Sequence, residues 1–404
     1  MFSYLSHLEC ARCARHYDAD EFQGVCQQCS SPLLARYDLD RLATELSREA
    51  LGGRRADLWR YHELLPVSAA ERVVTMGEGL TPLLALPNAG AHIDVPRLLM
   101  KDDAVIPTGS FKARGAAVGV SRAAELGAAA IALPSNGNAG SAWAQYAARA
   151  GMSALVAMPE AAPTVCRGEI LAAGAELYLV NGHIADCGRM IAETVAARPG
   201  VREVSTLKEP YRLEGKKTIG IEIVEQLDWA MPDVIVFPTG GGVGLIGIHK
   251  ALTELRALGW ITGTLPRMVA VQSSGCAPIV RAYDEGAAES EAWPAPFTVA
   301  YGINVPKALG DFLILQAVRE TDGIAIAIDD ATVVSAQREL AALEGEVLCP
   351  ESAAAFAAIR ALRTDGWLRR DEQAVLVNTA AGSRYPDLLP TAAVPRSRPD
   401  ALPR

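Results

Sequence analysis

The sequence predicts an α/β protein with mostly parallel sheets, preceded by a small cysteine ribbon. From Arg72 onward, short apolar runs alternate with alanine-rich runs of helical spacing, which is typical of strands joined by helices. Glycine-rich segments at 135–140 and 238–244 lie at junctions between such runs. The 404 residues are enough for two or three domains.

Charge and termini narrow the class of protein. A formal net charge of -9 argues against nucleic acid or an anionic membrane as the main partner. No uncharged apolar stretch reaches the roughly 18 residues of a membrane span. The first seven residues lack the cationic and apolar segments of a signal peptide. We therefore expect a cytoplasmic protein with reduced cysteines and a small-molecule ligand.

The ribbon is predicted for residues 1–36. Cys10 and Cys13 form one Cys-x-x-Cys pair, and Cys26 and Cys29 form another. Each pair turns tightly enough to direct two thiolates at one point, so the two pairs can surround a structural zinc ion. A ribbon that has lost its metal remains the alternative. The scattered cysteines are expected to be small buried hydrophobes, namely Cys166, Cys187, Cys276 and Cys349.

The remaining elements follow from periodicity. An amphipathic helix is predicted from Asp38 to Leu51, and further helices from Gly140 to Ala150 and from Leu245 to Leu258. The proline-rich stretch 389–404 is predicted to be a disordered tail. Buried parallel strands are predicted at Ala128–Pro134, Ser153–Met158, Asp233–Phe237, Arg267–Gln272 and Ala374–Val377.

Lys112 is the strongest candidate for a reactive residue. It lies in the run Pro-Thr-Gly-Ser-Phe-Lys-Ala-Arg-Gly, residues 107–115, which opens a helix of small residues. A lysine amine in a dry pocket is easily deprotonated and can form an imine with an aldehyde. An exposed lysine at a helix start is the alternative.

The segment 238–244, Pro-Thr-Gly-Gly-Gly-Val-Gly, predicts a phosphate cradle. It follows a strand and opens a helix, so its glycines allow close approach of an anion to unpaired backbone N–H groups. Residues 242–247 also match the GxGxxG pattern of dinucleotide folds. That interpretation requires an acidic residue at the end of the next strand, which here ends in Gln272.

Two further loops follow predicted strands. In Ser135-Asn-Gly-Asn-Ala-Gly140, Asn138 can donate an amide hydrogen bond to a phenolate-like oxygen, although an ordinary Asn-Gly turn is equally compatible. After the last strand, Val377-Asn-Thr-Ala-Ala-Gly382 presents the hydroxyl of Thr379.

The order of these segments resembles that of the pyridoxal-phosphate enzymes of the tryptophan synthase β-subunit fold, known as fold type II. Gly77-Glu-Gly-Leu-Thr-Pro82 is similar to the GEGxTPL segment of threonine synthases, and residues 211–220 are similar to their PxRxEGQKT segment. The resemblance covers residues 70–385 and the ribbon. Ala113 replaces the family's Asp in Phe-Lys-Asp-Arg-Gly, and Glu209 replaces its Asn. The glycine loop is closer to that of serine/threonine dehydratases.

The resemblance implies a two-lobed enzyme. The smaller lobe would comprise residues 107–200, and the larger, cofactor-binding lobe residues 37–106 and 201–388. A homodimer is also expected. The implied activity is conversion of O-phospho-L-homoserine and water to L-threonine and phosphate. The alternative is a threonine or serine dehydratase, or another pyridoxal-phosphate enzyme of β-elimination or β-replacement. A second, more distant alternative is a non-enzymatic ribbon protein that binds nucleic acid or a partner.

The resemblance also implies roles for single residues. Lys112 would bind the cofactor aldehyde covalently and then act as the base. Asn138 would contact the ring oxygen and Thr379 the ring nitrogen. The cofactor phosphate would be bound by Gly240, Gly241, Gly242, Val243 and Gly244, and the substrate by Ser110, Ser135 and Arg212.

Three further charged residues lie close to Arg212 in the sequence, namely Glu209, Lys216 and Lys217. Glu209 is expected either to point away and pair with Arg212 or Lys208, which we favour, or to face the pocket. Lys216 and Lys217 are interpreted as surface charges or helix-start contacts.

Overall fold

The computed structural model describes residues 1–389, so the predicted tail lies outside the described residues except for its first residue. The predicted α/β architecture is confirmed. The strands form three sheets. In chain order they are β1 Leu5–Cys10, β2 His16–Tyr17, β3 Leu33–Tyr37, β4 Leu83–Ala85, β5 Leu98–Asp102, β6 Ala130–Pro134, β7 Ser153–Pro159, β8 Glu176–Val180, β9 Val201–Glu203, β10 Val234–Pro238, β11 Arg267–Ser273, β12 Ile324–Ile328 and β13 Ala374–Asn378.

Helices connect most of these strands. None of those within residues 1–389 is long and apolar enough to cross a membrane. The α-helices are α1 Leu39–Glu45, α2 Pro87–His92, α3 Lys112–Glu125, α4 Asn138–Arg149, α5 Thr164–Ala172, α6 Ile184–Ala197, α7 Arg212–Gln226, α8 Val243–Ala257, α9 Pro278–Asp284, α10 Asp311–Glu320, α11 Asp330–Glu344 and α12 Pro350–Thr364. Short 3-10 turns lie at Arg48–Leu51, Leu58–Leu64, Ala70–Arg72, Asp103–Val105, Pro107–Gly109, Tyr301–Ile303, Gly382–Arg384 and Pro386–Leu388.

The largest sheet has six strands in the order β12-β11-β10-β13-β5-β4. Its neighbours pair in parallel except β4, which runs antiparallel at one edge. The central strands β10 and β13 are buried along their whole length. Helices cover both faces of a parallel sheet, which is why these strands are mostly apolar and rich in valine.

The second sheet has four parallel strands in the order β8-β7-β6-β9 and lies within residues 130–203. Every strand predicted from the sequence is present, and each end differs by at most two residues. Helices α4 and α8 begin two residues earlier than predicted, because the loops at Asn138 and Val243 turn directly into helix.

The predicted helix over 38–51 is wrong in its second half. Helix α1 ends at Glu45, Leu46 is extended, and a short turn follows at Arg48–Leu51. Leu42 and Leu51 are both buried, yet nine positions on an ideal helix rotate a side chain to the opposite face. The chain must leave the helix to bury both leucines.

Helices α3 and α7 touch backbone to backbone. A Cβ on Gly115 would lie 2.7 Å from the carbonyl oxygen of Arg212, and one on Gly215 would overlap that of Arg114. Only glycine permits this approach. The contact joins the first turns of the two helices, so the residues that open them, Lys112 and Arg212, come to one region.

The N-terminal sheet is antiparallel, in the order β2-β1-β3, and carries the cysteine cluster. The Sγ atoms of Cys10 and Cys29 are 3.4 Å apart, and those of Cys13 and Cys26 are 3.6 Å apart. Four sulfurs about 2.3 Å from zinc would be roughly 3.8 Å from one another, so the cluster is compatible with a zinc ribbon. The other cysteines are buried free thiols, as predicted: Cys166, Cys187, Cys276 and Cys349.

Candidate active site

A cavity of about 380 Å³ lies at the carboxyl ends of β6, β10 and β13. Loops that follow parallel strands emerge on the same side of a sheet, and ligands bind in the crevice there. The predicted site residues that line this cavity are Lys112, Ser135, Asn138, Arg212, Gly240, Gly241, Gly242, Val243, Gly244 and Thr379.

Lys112 lines the cavity at the start of α3. Its Nζ lies 3.9 Å from the centroid of the Phe111 ring. Burial, with a further contribution from the Arg212 charge, lowers the pKa of Lys112 to about 8. Within residues 1–389 no carboxylate lies within 4.0 Å of this amine. A useful fraction of the amine is therefore unprotonated near neutral pH and able to attack an aldehyde.

The lysine segment is attached to the end of β13. The backbone N–H of Phe111 donates a hydrogen bond to the carbonyl oxygen of Thr379 at 2.8 Å, and Ser110 forms a β-bridge with Ala380. These bonds fix Lys112 beside Thr379. Ser110 itself is fully buried, its Oγ has no hydrogen-bond partner among the described residues, and it does not line the cavity. Direct contact between Ser110 and a substrate is therefore not supported.

The glycine loop needs glycine for its own packing at most positions. A Cβ on Gly240 would lie 2.9 Å from the carbonyl oxygen of Gly302, and one on Gly244 would overlap the Phe237 ring. Gly242 has φ +79, and a Cβ there would overlap the Ile314 side chain.

Gly241 differs from the other loop glycines. A Cβ there would meet only the Thr206 methyl, at 3.0 Å. The loop opens α8 at Val243, so unpaired N–H groups of the first turn face the cavity. This arrangement is a cradle for an anion.

Ser135 holds the second loop in shape. Its Oγ accepts hydrogen bonds from the N–H groups of Gly137 at 3.0 Å and Gly140 at 2.8 Å. Asn138 opens α4, and its Nδ2 donates to the Tyr385 hydroxyl at 3.2 Å. The Asn138 amide is thus oriented by contacts that the sequence does not reveal.

Thr379 follows β13 and is buried. Its Oγ1 lies 3.3 Å from the Ser352 hydroxyl and 3.5 Å from the Cys349 thiol. Both groups are neutral, because burial raises the pKa of Cys349 to about 12. Thr379 can therefore offer only a neutral hydrogen bond to a ligand.

Tyr385 and Glu351 line the cavity but were not predicted. The Tyr385 hydroxyl donates to Glu351 Oε1 at 2.7 Å, and the N–H of Gly302 donates to the same oxygen at 2.6 Å. Glu351 Oε2 is buried and has no partner among the described residues. Burial raises the pKa of Tyr385 well above its ordinary value. Only the closeness of Tyr385 to Thr379 in sequence could have indicated it.

Arg212 stacks over Trp143, with 4.8 Å between the guanidinium carbon and the ring centroid, and its Nη1 donates to Thr206 at 3.0 Å. Glu209 Oε2 lies 3.7 Å from Arg212 Nε. The expected pairing of Glu209 with Arg212 is therefore present. Lys208 pairs with Glu203 instead, at 3.0 Å.

Lys216 and Lys217 are not surface charges, which corrects the interpretation made from the sequence. Lys217 is fully buried and pairs with Glu214 at 2.7 Å and Glu254 at 2.8 Å. Lys216 is 3% exposed and lines the cavity. Helix α7 is buried on all sides of its first three turns, which residue type alone did not indicate.

These residues fit pyridoxal phosphate. The cavity combines a half-buried amine that can react with its aldehyde, at Lys112, with a glycine loop that opens α8 and can receive its phosphate. The Asn138 amide and the Thr379 hydroxyl are neutral polar groups that line the same cavity. Lysine, glycine loop and both polar partners belong to a single cavity, as that ligand requires.

Comparison with known families gives a match for residues 74–380, to the family described as pyridoxal-phosphate dependent enzyme. Curated relatives include the threonine synthase of Methanosarcina acetivorans, 36% identical over 376 residues, which cover 92% of this chain and 91% of that protein. The threonine synthase of Methanocaldococcus jannaschii is 34% identical over 381 residues, covering 94% and 93%.

Solved structures show the same fold. The processed form of threonine deaminase isoform 2 from Solanum lycopersicum aligns with a TM-score of 0.65 and 19% identity, covering 81% of this chain and 91% of that one. Diaminopropionate ammonia lyase from Escherichia coli aligns with a TM-score of 0.66 and 19% identity, covering 78% and 88%. At these identities the likeness concerns the fold alone.

Proposed function

The chain belongs to the pyridoxal-phosphate dependent enzymes and, within them, to the threonine synthases, and on this premise we propose that it converts O-phospho-L-homoserine and water to L-threonine and phosphate. The observation that carries the proposal is the union, in one cavity, of Lys112, a phosphate cradle and the Arg212 guanidinium. The cofactor needs an amine for its aldehyde and a site for its phosphate. A phosphorylated amino acid needs a second anion site.

The cofactor, when bound, supplies an aldehyde that links covalently to amines and a ring that accepts electrons from the adjacent carbon. The protein supplies the rest. Lys112 Nζ would hold the aldehyde of that group and, as an amine, would accept a proton from the substrate Cα. Its lowered pKa of about 8 leaves it able both to take and to return a proton.

The remaining proposed roles concern binding and orientation. The loop Gly240, Gly241, Gly242, Val243 and Gly244 would hold the cofactor phosphate with its N–H groups. Asn138 would donate to the ring oxygen. Thr379 would face the ring nitrogen with a neutral hydroxyl, which keeps the ring a weaker electron acceptor and favours elimination over transamination.

Substrate binding is proposed for Arg212 and Ser135. Arg212 is already oriented by Trp143 and Thr206, so little rotational freedom is lost when it binds an anion. Ser135 contributes by shaping the loop that opens α4. A role for Ser110 would be indirect, through the bridge to Ala380.

A product assay tests the proposal directly. Pure enzyme reconstituted with pyridoxal phosphate is given phosphohomoserine, threonine or serine, and phosphate, ammonia and keto acid are measured. A threonine synthase releases phosphate and threonine without ammonia. Ammonia and keto acid from threonine or serine, with no phosphate release, would establish the dehydratase alternative.

The proposal includes the organisation of the enzyme. The lobe at residues 107–200 is supported by the parallel sheet within 130–203, although the whole of β9, Val201–Glu203, lies beyond its limit. The ribbon is proposed to hold zinc. A cytoplasmic homodimer remains an expectation from the sequence, which light scattering on the purified protein would test.

A further inference from the structure

Lys216 differs from most of the cationic groups in the cavity. Five cationic side chains line it, and three of them have a carboxylate within 4.0 Å. Lys112 and Lys216 have none among residues 1–389. Lys112 has a role in the proposed chemistry. Lys216 therefore remains as a cation that has neither a carboxylate partner among these residues nor an assigned role. The three pairs are Lys208–Glu203 at 3.0 Å, Arg212–Glu209 at 3.7 Å and Lys307–Asp311 at 2.6 Å.

The surroundings of the Lys216 ammonium are unfavourable for a cation. Its one hydrogen bond in the described part of the chain is donated to the carbonyl oxygen of Arg212, at a long 3.5 Å. A Cβ on Gly115 would overlap Nζ, so the ammonium rests against the first turn of α3. A helix N-terminus carries partial positive charge, and a buried cation without a partner is costly.

The neighbouring charges increase this cost. The charged groups that face Lys216 are Lys112 and Arg114 on α3, Arg212 on its own helix, and Glu209 in the preceding loop. Burial, together with Lys112 and Arg212, lowers the pKa of Lys216 well below its ordinary value. Glu209 is the single carboxylate among these groups, and it already pairs with Arg212 and with the N–H groups of α7.

An anion in the cavity would remove the difficulty. Six helices contribute residues of their first turns to the lining, namely α3, α4, α6, α7, α8 and α12, and helix N-termini favour anions. The threonine synthase segment PxRxEGQKT has glutamine where this chain has Lys216, and the family's asparagine is Glu209 here. Glu209 adds a negative charge, which pairs with Arg212. Lys216 adds a positive charge, which has no carboxylate partner among residues 1–389.

We propose that Lys216 is a ligand for a phosphate group in this cavity, supplying the full positive charge that Glu209 withholds from Arg212. The inference rests on the proposed function, because that function brings two phosphate groups to the cavity, one on the substrate and one on the cofactor. Both present the same chemistry, a phosphate monoester dianion. We favour the substrate phosphate, because the Lys216 ammonium lies beside Arg212.

The test compares the holoenzyme with two neutral variants, Lys216→Gln and Lys216→Met. Arg149→Gln is the matched control, since it removes one positive charge from an exposed position on α4. Binding of inorganic phosphate is measured by calorimetry at about pH 8, where phosphate is a dianion. Loss of one charge-assisted hydrogen bond should weaken phosphate binding by about tenfold or more in both variants, and not in the control.

Further measurements identify which phosphate group is bound. If Lys216 binds the substrate phosphate, KM for phosphohomoserine rises more than kcat falls, and the Kd of the apoenzyme for pyridoxal phosphate is unchanged. If only the Kd for pyridoxal phosphate rises, Lys216 binds the cofactor phosphate. If the Kd for inorganic phosphate, the KM for phosphohomoserine and the Kd for pyridoxal phosphate are all unchanged in variants that fold like the control, the proposal is overturned.

Proton uptake gives a readout that needs no variant. Binding of the dianion favours the charged form of Lys216, so above the pKa of this lysine, phosphate binding should take up a proton, and the wild-type enthalpy should then depend on the ionisation enthalpy of the buffer. If Lys216 binds the substrate phosphate, absence of that dependence would contradict the proposal even if neither variant folds. The proposed function has a separate test. If wild-type enzyme binds inorganic phosphate through Lys216 but releases no phosphate from phosphohomoserine, the proposed function is refuted and the phosphate site at Lys216 still stands.

Discussion

Glu209 accepts two backbone hydrogen bonds at the start of α7 while its Oε2 lies 3.7 Å from Nε of Arg212. The donors are the N–H groups of Tyr211 at 2.7 Å and Arg212 at 2.9 Å. Burial raises the pKa of Glu209, and Arg212 opposes that shift. The Glu209 carboxylate is thus hydrogen-bonded at the start of α7 and is not directed at a substrate anion as an unpaired charge.

The first prediction concerns substrate preference in Glu209→Asn. The carboxylate lost is one that neutralises Arg212, so kcat/KM for phosphohomoserine is expected to rise by up to about tenfold. Loss of the ion pair between Glu209 and Arg212, both of which are buried, should lower the free energy of unfolding by about 1–3 kcal/mol. Steady-state kinetics on phosphohomoserine, threonine and serine, with denaturant unfolding, measure both. Glu209→Gln keeps the side-chain length as a control. Wild-type enzyme that ignores phosphohomoserine and deaminates threonine would refute the function.

The sequence predicted the sheets and most of the residues that line the candidate cavity, because both depend on local signals. The strand at Val234–Pro238 and the loop that follows it are readable from a run of apolar residues and from glycines. Thr379 and Asn138 follow strands in the same way. Loops at the ends of parallel strands converge, so local prediction was enough to bring them into one cavity.

What the sequence did not predict depends on contacts between distant segments. Lys216 is buried because α7 packs against α3 through two glycines, and no periodicity in α7 indicates this. Tyr385 reaches Asn138 across 247 positions. Ser110 was expected in the cavity, but its β-bridge to Ala380 buries it behind the lining.

The second prediction is that Lys112→Ala loses the covalent link to the cofactor. Borohydride reduction of the wild-type holoenzyme should attach the cofactor to the peptide that contains Lys112, and mass spectrometry should find none in the variant. Turnover should fall by about 10³-fold or more, because imine carrier and proton acceptor are lost together. A normal rate in Lys112→Ala would exclude the proposed mechanism.

The third prediction separates the phosphate cradle from the fold. In Gly241→Val the new Cβ meets only the flexible Thr206 side chain, at 3.0 Å from its methyl, so the protein should fold and bind pyridoxal phosphate more weakly. In Gly242→Ala a residue with φ +79 would overlap the Ile314 side chain, so stability itself should fall. Melting temperatures with and without cofactor distinguish the two. Stabilisation by NAD, and not by pyridoxal phosphate, would favour the dinucleotide interpretation.

The fourth prediction concerns the ribbon. Elemental analysis should find about one zinc per chain, since the four cysteine Sγ atoms lie within 4.8 Å of one another. Cys26→Ser should abolish stoichiometric zinc and increase protease cleavage within residues 1–36. The cofactor chromophore should persist, because Lys112 lies outside the ribbon. Full zinc content in a variant lacking Cys10, Cys13, Cys26 and Cys29 would contradict this site.

The last prediction follows from the pKa of Lys112, which burial lowers to about 8, with Arg212 adding to the effect. The unprotonated amine attacks the aldehyde, so the rate of cofactor attachment to the apoenzyme should rise with pH and level off just above pH 8. The same shift affects stability. Between about pH 8 and 10.5 the unfolded chain holds a proton on this lysine that the folded apoenzyme has lost, so this group makes the apoenzyme more stable as pH rises.

Stopped-flow mixing of apoenzyme with pyridoxal phosphate across pH measures the attachment rate. The control is the same reaction with a free lysine derivative, because ionisation of the cofactor affects both reactions equally. Only the enzyme should then show an inflection near 8, while the free amine keeps its ordinary pKa of 10.5. An inflection near the ordinary value in the enzyme would mean that Lys112 is solvated, and the dry amine on which the site depends would not exist.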